Sequence, residues 1–135
     1  MTIQWLRVLL GGFLIEVVLA AVLLGGFALA GVDISTGVSL VSAVIIGVGA
    51  FAAAFAIVLW LGRGIQTQLV LHGFLMGLVA TLLYLGLVAG SGQMSAALVA
   101  YGPATFVIVN ALRIVGAVCG GVVCERKKAV HPAML

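Results

Sequence analysis

Apolar positions along the chain neither alternate nor repeat on one helical face. They run almost unbroken through four segments, approximately Leu6–Ala30, Val38–Leu61, Leu69–Gly90 and Val99–Val123, separated by short breaks rich in Gly, Ser, Asp and Gln. At a rise of about 1.5 Å per residue, about 22 to 26 residues of helix cover the roughly 30 Å hydrocarbon core of a bilayer with room for tilt. Strands are excluded, because a lipid-embedded strand needs a closed barrel with alternating faces and at least about eight strands. The pattern predicts an all-α fold, four transmembrane helices in an up-down bundle, forming one domain over residues 1–135 with a short basic tail from 124.

Composition agrees and narrows the class. Of 135 residues, 65% are apolar, 7% are charged and 19 are Gly, with a mean hydropathy of +1.44. Soluble domains carry about 25% charged residues. The chain is also too short to add a folded catalytic domain to the membrane unit, and it carries no paired carboxylate, metal cluster, nucleophile–base pair or phosphate loop. We therefore expect no enzyme and no cofactor, although an intramembrane enzyme or cofactor carrier stays open. The net charge of +3 makes no basic stripe on a soluble face, and no nucleic-acid partner is expected.

The basic residues instead report orientation. Arg7 lies at the very start of the first segment, Arg63 lies in the second connection, and Arg126, Lys127 and Lys128 follow the fourth. The first connection has only Asp33, and Gly90–Gln93 is uncharged, so both termini are expected in the cytoplasm of a bacterial inner membrane. Trp5 and Trp60 fall at the cytoplasmic interface and Tyr101 near the opposite one, as an aromatic belt requires. Ala28-Leu29-Ala30 before Gly31 is an A-x-A-like cleavage site, which leaves a signal peptide as a rival reading of the first segment. Against it stand the length of the stretch and its interruption by Glu16. Cys119 and Cys124, spaced C-x4-C, fit no metal or redox motif and read as small packing residues that stay reduced.

A shared offset pairs Gly12-Phe13-Leu14 with Gly73-Phe74-Leu75, Val18 with Val79, Gly25 with Gly86, Ala28 with Ala89 and Gly31 with Gly92. Two tandem helical hairpins would follow, as parallel repeats about an axis along the membrane normal, as opposed to the alternative of chance similarity between apolar helices.

Three ionisable residues fall inside the segments: Glu16, His72 and Arg113. Each costs about 2.5–3.5 kcal/mol at bilayer depth on insertion scales and needs a partner or a purpose. Glu16 lies eleven residues after Trp5 and Arg113 twelve before Glu125, so both sit roughly 16–18 Å from the basic end. Equal depth predicts a Glu16–Arg113 ion pair in the bundle interior. Phe106, Asn110, Arg113, Ala117 and Gly120 share one helical face, which places Asn110 within reach of the pair. Gly12, Glu16 and Ala20 form a stripe on which a facing helix can approach closely. The pair can fix helix neighbours, or Glu16 can exchange a proton or cation while Arg113 holds an anion; both readings stay open. His72, one to two turns inside the third segment, reads as an interfacial hydrogen-bonding residue, with a proton relay toward Glu16 or a cofactor ligand as alternatives.

Small-residue stripes occupy the other helices: Gly73-x-x-x-Gly77, Gly116-x-x-x-Gly120, and Ala43-x-x-x-Gly47 with Ala50 and Ala54. They permit close packing within the bundle, in a homo-oligomer or in a larger membrane complex. Pro103 suits the first turn of the last helix.

The string Gly11-Gly12-Phe13-Leu14-Ile15-Glu16-Val17 resembles the first helix of small multidrug-resistance transporters, which implies a membrane glutamate that exchanges protons for cationic solutes. The whole layout, with its basic turn, the His72-Gly73 to Gly77 string and a basic tail, is similar to bacterial four-helix membrane proteins of the YrzE-like kind. That second resemblance implies no particular activity. The leading expectation is a structural or accessory membrane protein that assembles with itself or a larger complex; the alternative is a small proton-coupled transporter or channel lined by Glu16, Arg113, Asn110 and His72.

Overall fold

The structure is a computed structural model that describes residues 3–30 and 39–130. Asp33, Gly31 and Val38 lie outside the described residues. Five helices follow in order: α1 (Trp5–Ala30), α2 (Leu40–Gly62), α3 (Leu69–Gly90), α4 (Met94–Tyr101) and α5 (Pro103–Val130). The described residues include no strand. Four of the helices, α1, α2, α3 and α5, are long and apolar enough to cross a membrane, and the chain is a small all-α membrane protein.

Local chemistry sets most helix ends. Ser39 caps α2, its side chain accepting from the Ser42 N–H at 3.2 Å while Ser42 Oγ donates to the Ser39 carbonyl at 2.9 Å. The fourth span is shorter at one end and longer at the other than the apolar run suggests. Val99 and Tyr101 belong to the separate α4, and the chain breaks at Gly102, where φ is 72°. Proline disfavours helical geometry in the residue before it and is suited to begin a helix, so Gly102 turns the chain and Pro103 starts α5. At the far end α5 continues to Val130, so the segment from 124 begins as helix and not as an irregular tail. Its residues Glu125 to Ala129 favour helix, and the Lys128 ammonium anchors the last turn by donating to the Ile65 carbonyl and to that of Arg63 at 3.5 Å.

Helix directions alternate. The start of α1, the end of α2, the start of α3 and the end of α5 meet at one end, where the Arg7 guanidinium lies against Gly64 and Gly62 packs on Leu69 and Cys124. Arg7, Arg63, Lys127 and Lys128 thus gather at this basic end, with Trp5 and Trp60 exposed beside them. Around the bundle the order is α1, α2, α5, α3, with α2 diagonal to α3 and α1 diagonal to α5.

That order corrects one expectation. The hairpins α1–α2 and α3–α5 both pack antiparallel, but a two-fold axis along the bundle would place the equivalent helices α1 and α3 on a diagonal, and here they are neighbours. Gly12 accordingly meets Val79 and Ala80 of α3, whereas its counterpart Gly73 meets the Ala117 carbonyl of α5. Gly25 and Gly86, also paired by the offset, face open space.

The small-residue stripes do pack the interior. A methyl on Gly77 would approach the Ile114 Cα at 2.9 Å, and one on Gly120 would approach the Phe55 carbonyl at 2.9 Å; Gly116 rests on the backbone of Phe51. Helix α5 is therefore held at backbone contact with both α2 and α3. Ala54, Ala80 and Ala117 are fully buried between the larger Ile15, Val58 and Met76, and Ala50 is buried in the neighbouring cluster with Leu19, Ile46 and Val109. Cys124 is buried, its thiol facing the carbonyls of Val58 and Leu59 at 3.9 and 3.6 Å, while Cys119 is half-buried, and both are free thiols.

Gly116→Ala should destabilise the bundle by about 1–3 kcal/mol, because the added methyl meets backbone that cannot rotate away. Gly86→Ala, with nothing near its added methyl, should be neutral or stabilise by up to about 1 kcal/mol through helix propensity. Reversible unfolding in lipid-detergent bicelles compares the two, and equal effects would show that close approach is not what Gly116 provides.

Candidate intramembrane polar site

Burying an arginine in a bundle this apolar demands compensation for its charge and five donors. Arg113 is 1% exposed. Its Nη1 lies 3.0 Å from Glu16 Oε1, forming the ion pair expected from the matching depths. The same nitrogen donates to Asn110 Oδ1 at 3.3 Å, and Asn110 Nδ2 donates to the Phe106 carbonyl at 2.8 Å. Asn110 is thereby held with its oxygen toward the guanidinium, one turn before Arg113 on the same face of α5.

Two features of the geometry were not evident from spacing. First, α1 and α5 are diagonal, so the Gly12 stripe does not admit α5; Val79 of α3 fills it, and Arg113 crosses the bundle centre on the length of its own side chain. Second, Tyr84 of α3 places its ring under the guanidinium, with Cζ 4.9 Å from the ring centroid, a cation–π contact. Phe106 in turn packs on Tyr84 with ring centroids 5.9 Å apart. The charged centre thus joins α1, α3 and α5. A signal for Tyr84 existed in the sequence, as the polar aromatic of α3 in the half away from the basic end, but aromatic residues in spans are ordinarily packing residues.

Beside this centre lies a partly open cavity of about 170 Å³. Glu16, Arg113, Asn110, Tyr84 and Tyr101 supply its polar lining. Leu19, Leu23, Ile46 and Val109 supply much of the rest. Tyr101 therefore turns toward the bundle from α4 and does not serve only as a belt residue. The half of the core toward the basic end differs sharply, with Val8, Ile15, Val58, Ile65, Met76 and Ala117 almost fully buried against one another.

His72 makes hydrogen bonds within the protein. It is 1% exposed and lies at the basic end, and both ring nitrogens are engaged. Nδ1 lies 2.9 Å from the Gln68 carbonyl and Nε2 accepts the Gln4 backbone N–H at 3.1 Å. The carbonyl can only accept, so Nδ1 is the donor of that bond. His72 therefore ties the residue preceding α1 to the start of α3. The same carbonyl belongs to Gln68, whose φ of 56° is left-handed, so the imidazole also braces an unfavourable backbone turn. Both nitrogens thus face backbone groups, and neither faces Glu16. Among the described residues no three His, Cys, Asp or Glu side chains converge.

Glu16→Gln or Arg113→Gln should each cost roughly 3–5 kcal/mol by leaving one buried charge unpaired, and the double variant should recover part of the loss. Additive losses in a steric-trap unfolding measurement would show that the two charges do not interact. His72→Phe should lower stability by about 1–3 kcal/mol, because the Gln4 N–H loses its acceptor, and should speed proteolysis near the start of α1. Limited proteolysis followed by mass spectrometry locates the cleavage.

Compared with protein-family models, with curated proteins and with solved structures, the chain matches none.

Proposed function

We propose that this protein is a structural or accessory component of a bacterial inner membrane, non-enzymatic, assembling with copies of itself or with a larger membrane complex. The observation that carries the reading is how the buried charge is used. Arg113 engages Glu16, Asn110 and Tyr84, and so ties α1, α3 and α5 together. Toward the basic end the core is apolar and closely packed, so the polar centre has no continuation through that half among the described residues. Such an interior serves the arrangement of helices better than conduction. Outward, α2 and α5 frame a shallow apolar groove of about 320 Å³ containing Ala43, Gly47, Thr105 and Ile108, where small side chains suit the approach of another helix. Positively charged residues at the basic end support a cytoplasmic location for both termini.

A small proton-coupled transporter is the second reading, and the partly open cavity at Glu16 favours it. It requires the sealed half to open in turn.

Gentle purification from native membranes with intact-complex mass spectrometry tests the first reading. A stoichiometric foreign subunit or a defined homo-oligomer is the expected result. A protein found only as single copies, across mild detergents and nanodiscs, would overturn it. Cysteine labelling from either side should reach Arg126→Cys from the cytoplasm and Ser95→Cys from outside, and the reverse pattern would refute the orientation.

A further inference from the structure

The cavity beside the ion pair has a chemical character beyond helix pairing, and its reading does not depend on the accessory role. Its lining divides into donors and hydrocarbon. Arg113, Asn110, Tyr84 and Tyr101 bring N–H and O–H groups, and Glu16 is the one anionic group on it. One of its oxygens, Oε1, faces Arg113 Nη1 at 3.0 Å as an ion pair. Leu19, Leu23, Ile46 and Val109 add an apolar wall. Glu16 itself is not fully enclosed, its side chain being 17% exposed, whereas that of Arg113 is 2% exposed. The guanidinium is also incompletely satisfied, because Nε is buried with no acceptor while Nη1 serves both Glu16 and Asn110. A planar, forked cation with donors to spare matches a carboxylate, which can accept two parallel N–H bonds.

We propose that this cavity binds an aliphatic monocarboxylate, which takes the place of Glu16 on Arg113 as Glu16 takes up a proton. The charge balance favours the exchange. With Glu16 ionised, Arg113 is already neutralised and a second anion would meet repulsion. With a proton on a Glu16 carboxyl oxygen, the guanidinium loses its counter-ion, and an incoming carboxylate restores neutrality in the interior. One proton enters with each anion, and no net charge is added to the bundle. The groups facing Glu16 agree with this count: Arg113 from α5, Tyr84 from α3 and Tyr101 from α4 line the same space, and α2 contributes Ile46 with no titratable group. The apolar wall accommodates the part of the hydrocarbon stem next to the carboxylate, and because the cavity is partly open a longer stem can extend beyond its volume of about 170 Å³.

Titration calorimetry on the full chain in zwitterionic nanodiscs tests the proposal with butyrate, octanoate and palmitate as probes and octanol as the uncharged control. At pH 5, saturable one-to-one binding of a carboxylate is expected, at least tenfold weaker at pH 8, with about one proton taken up per anion as read from the dependence on buffer ionisation enthalpy. Preference for the short acids would indicate an aqueous source, and preference for palmitate a bilayer source; either supports the assignment. Glu16→Gln, a stand-in for the protonated acid, should bind at pH 8 within about threefold of pH 5. The neutral double variant Glu16→Gln with Arg113→Gln, which avoids an unpaired charge, should lose binding at least tenfold. Absence of carboxylate binding at both pH values, equal binding of octanol and octanoate, or retained binding by the double variant would overturn it.

Discussion

An arginine in hydrocarbon is the constraint around which the rest of this protein is arranged. A charge at such depth costs several kcal/mol unless partners replace the water it has lost. Here they come from different helices: a carboxylate from α1, an aromatic face from α3 and an amide from α5 itself. Because these partners converge on one guanidinium, the positions of α1, α3 and α5 are tied to one another. The α1 contribution also makes the first segment an integral part of the interior, since Val8, Ile15 and Leu19 are buried along with it.

Glycine and alanine make that arrangement geometrically possible. Helix α5 must reach backbone contact with α2 on one side and α3 on the other, and Gly116, Gly120, Gly73 and Gly77 remove the side chains that would hold them apart. In lipid, where apolar surface is not driven inward by water, such close contact supplies much of the dispersion energy that holds helices together. The resulting interior has two halves. Toward the basic end it is apolar and closely packed, tied by His72 and by the lysine that reaches the 63–68 turn. Toward α4 it widens into the cavity that contains the charged centre.

The break at Gly102 shapes the cavity. By ending α4 and restarting the helix at Pro103, it allows Tyr101 to turn over the bundle while α5 passes through it. A continuous helix from Val99 would carry Tyr101 outward along the same axis. The cavity thus owes one of its polar walls to the conformational limits of a single Gly-Pro pair.

Much of this was legible along the chain. Four apolar runs of spanning length dictate four helices, because in lipid a backbone must satisfy its own hydrogen bonds. Counting residues from Trp5 and from Glu125 sets Glu16 and Arg113 at one depth, because helical rise is fixed, and two opposite charges at one depth have little alternative to meeting. Stripes of glycine are likewise visible before any fold is known. Which helices stand side by side was not legible, since uniformly apolar helices carry no face that names a neighbour. The order α1, α2, α5, α3 put α3 in the Gly12 stripe and left Arg113 to cross a diagonal. His72 became a buried clasp because Gln4 and Gln68, remote in sequence from each other, meet on its two ring nitrogens. Depth is one-dimensional and a sequence can state it; azimuth around a bundle depends on which surfaces fit, and only the tertiary structure decides that.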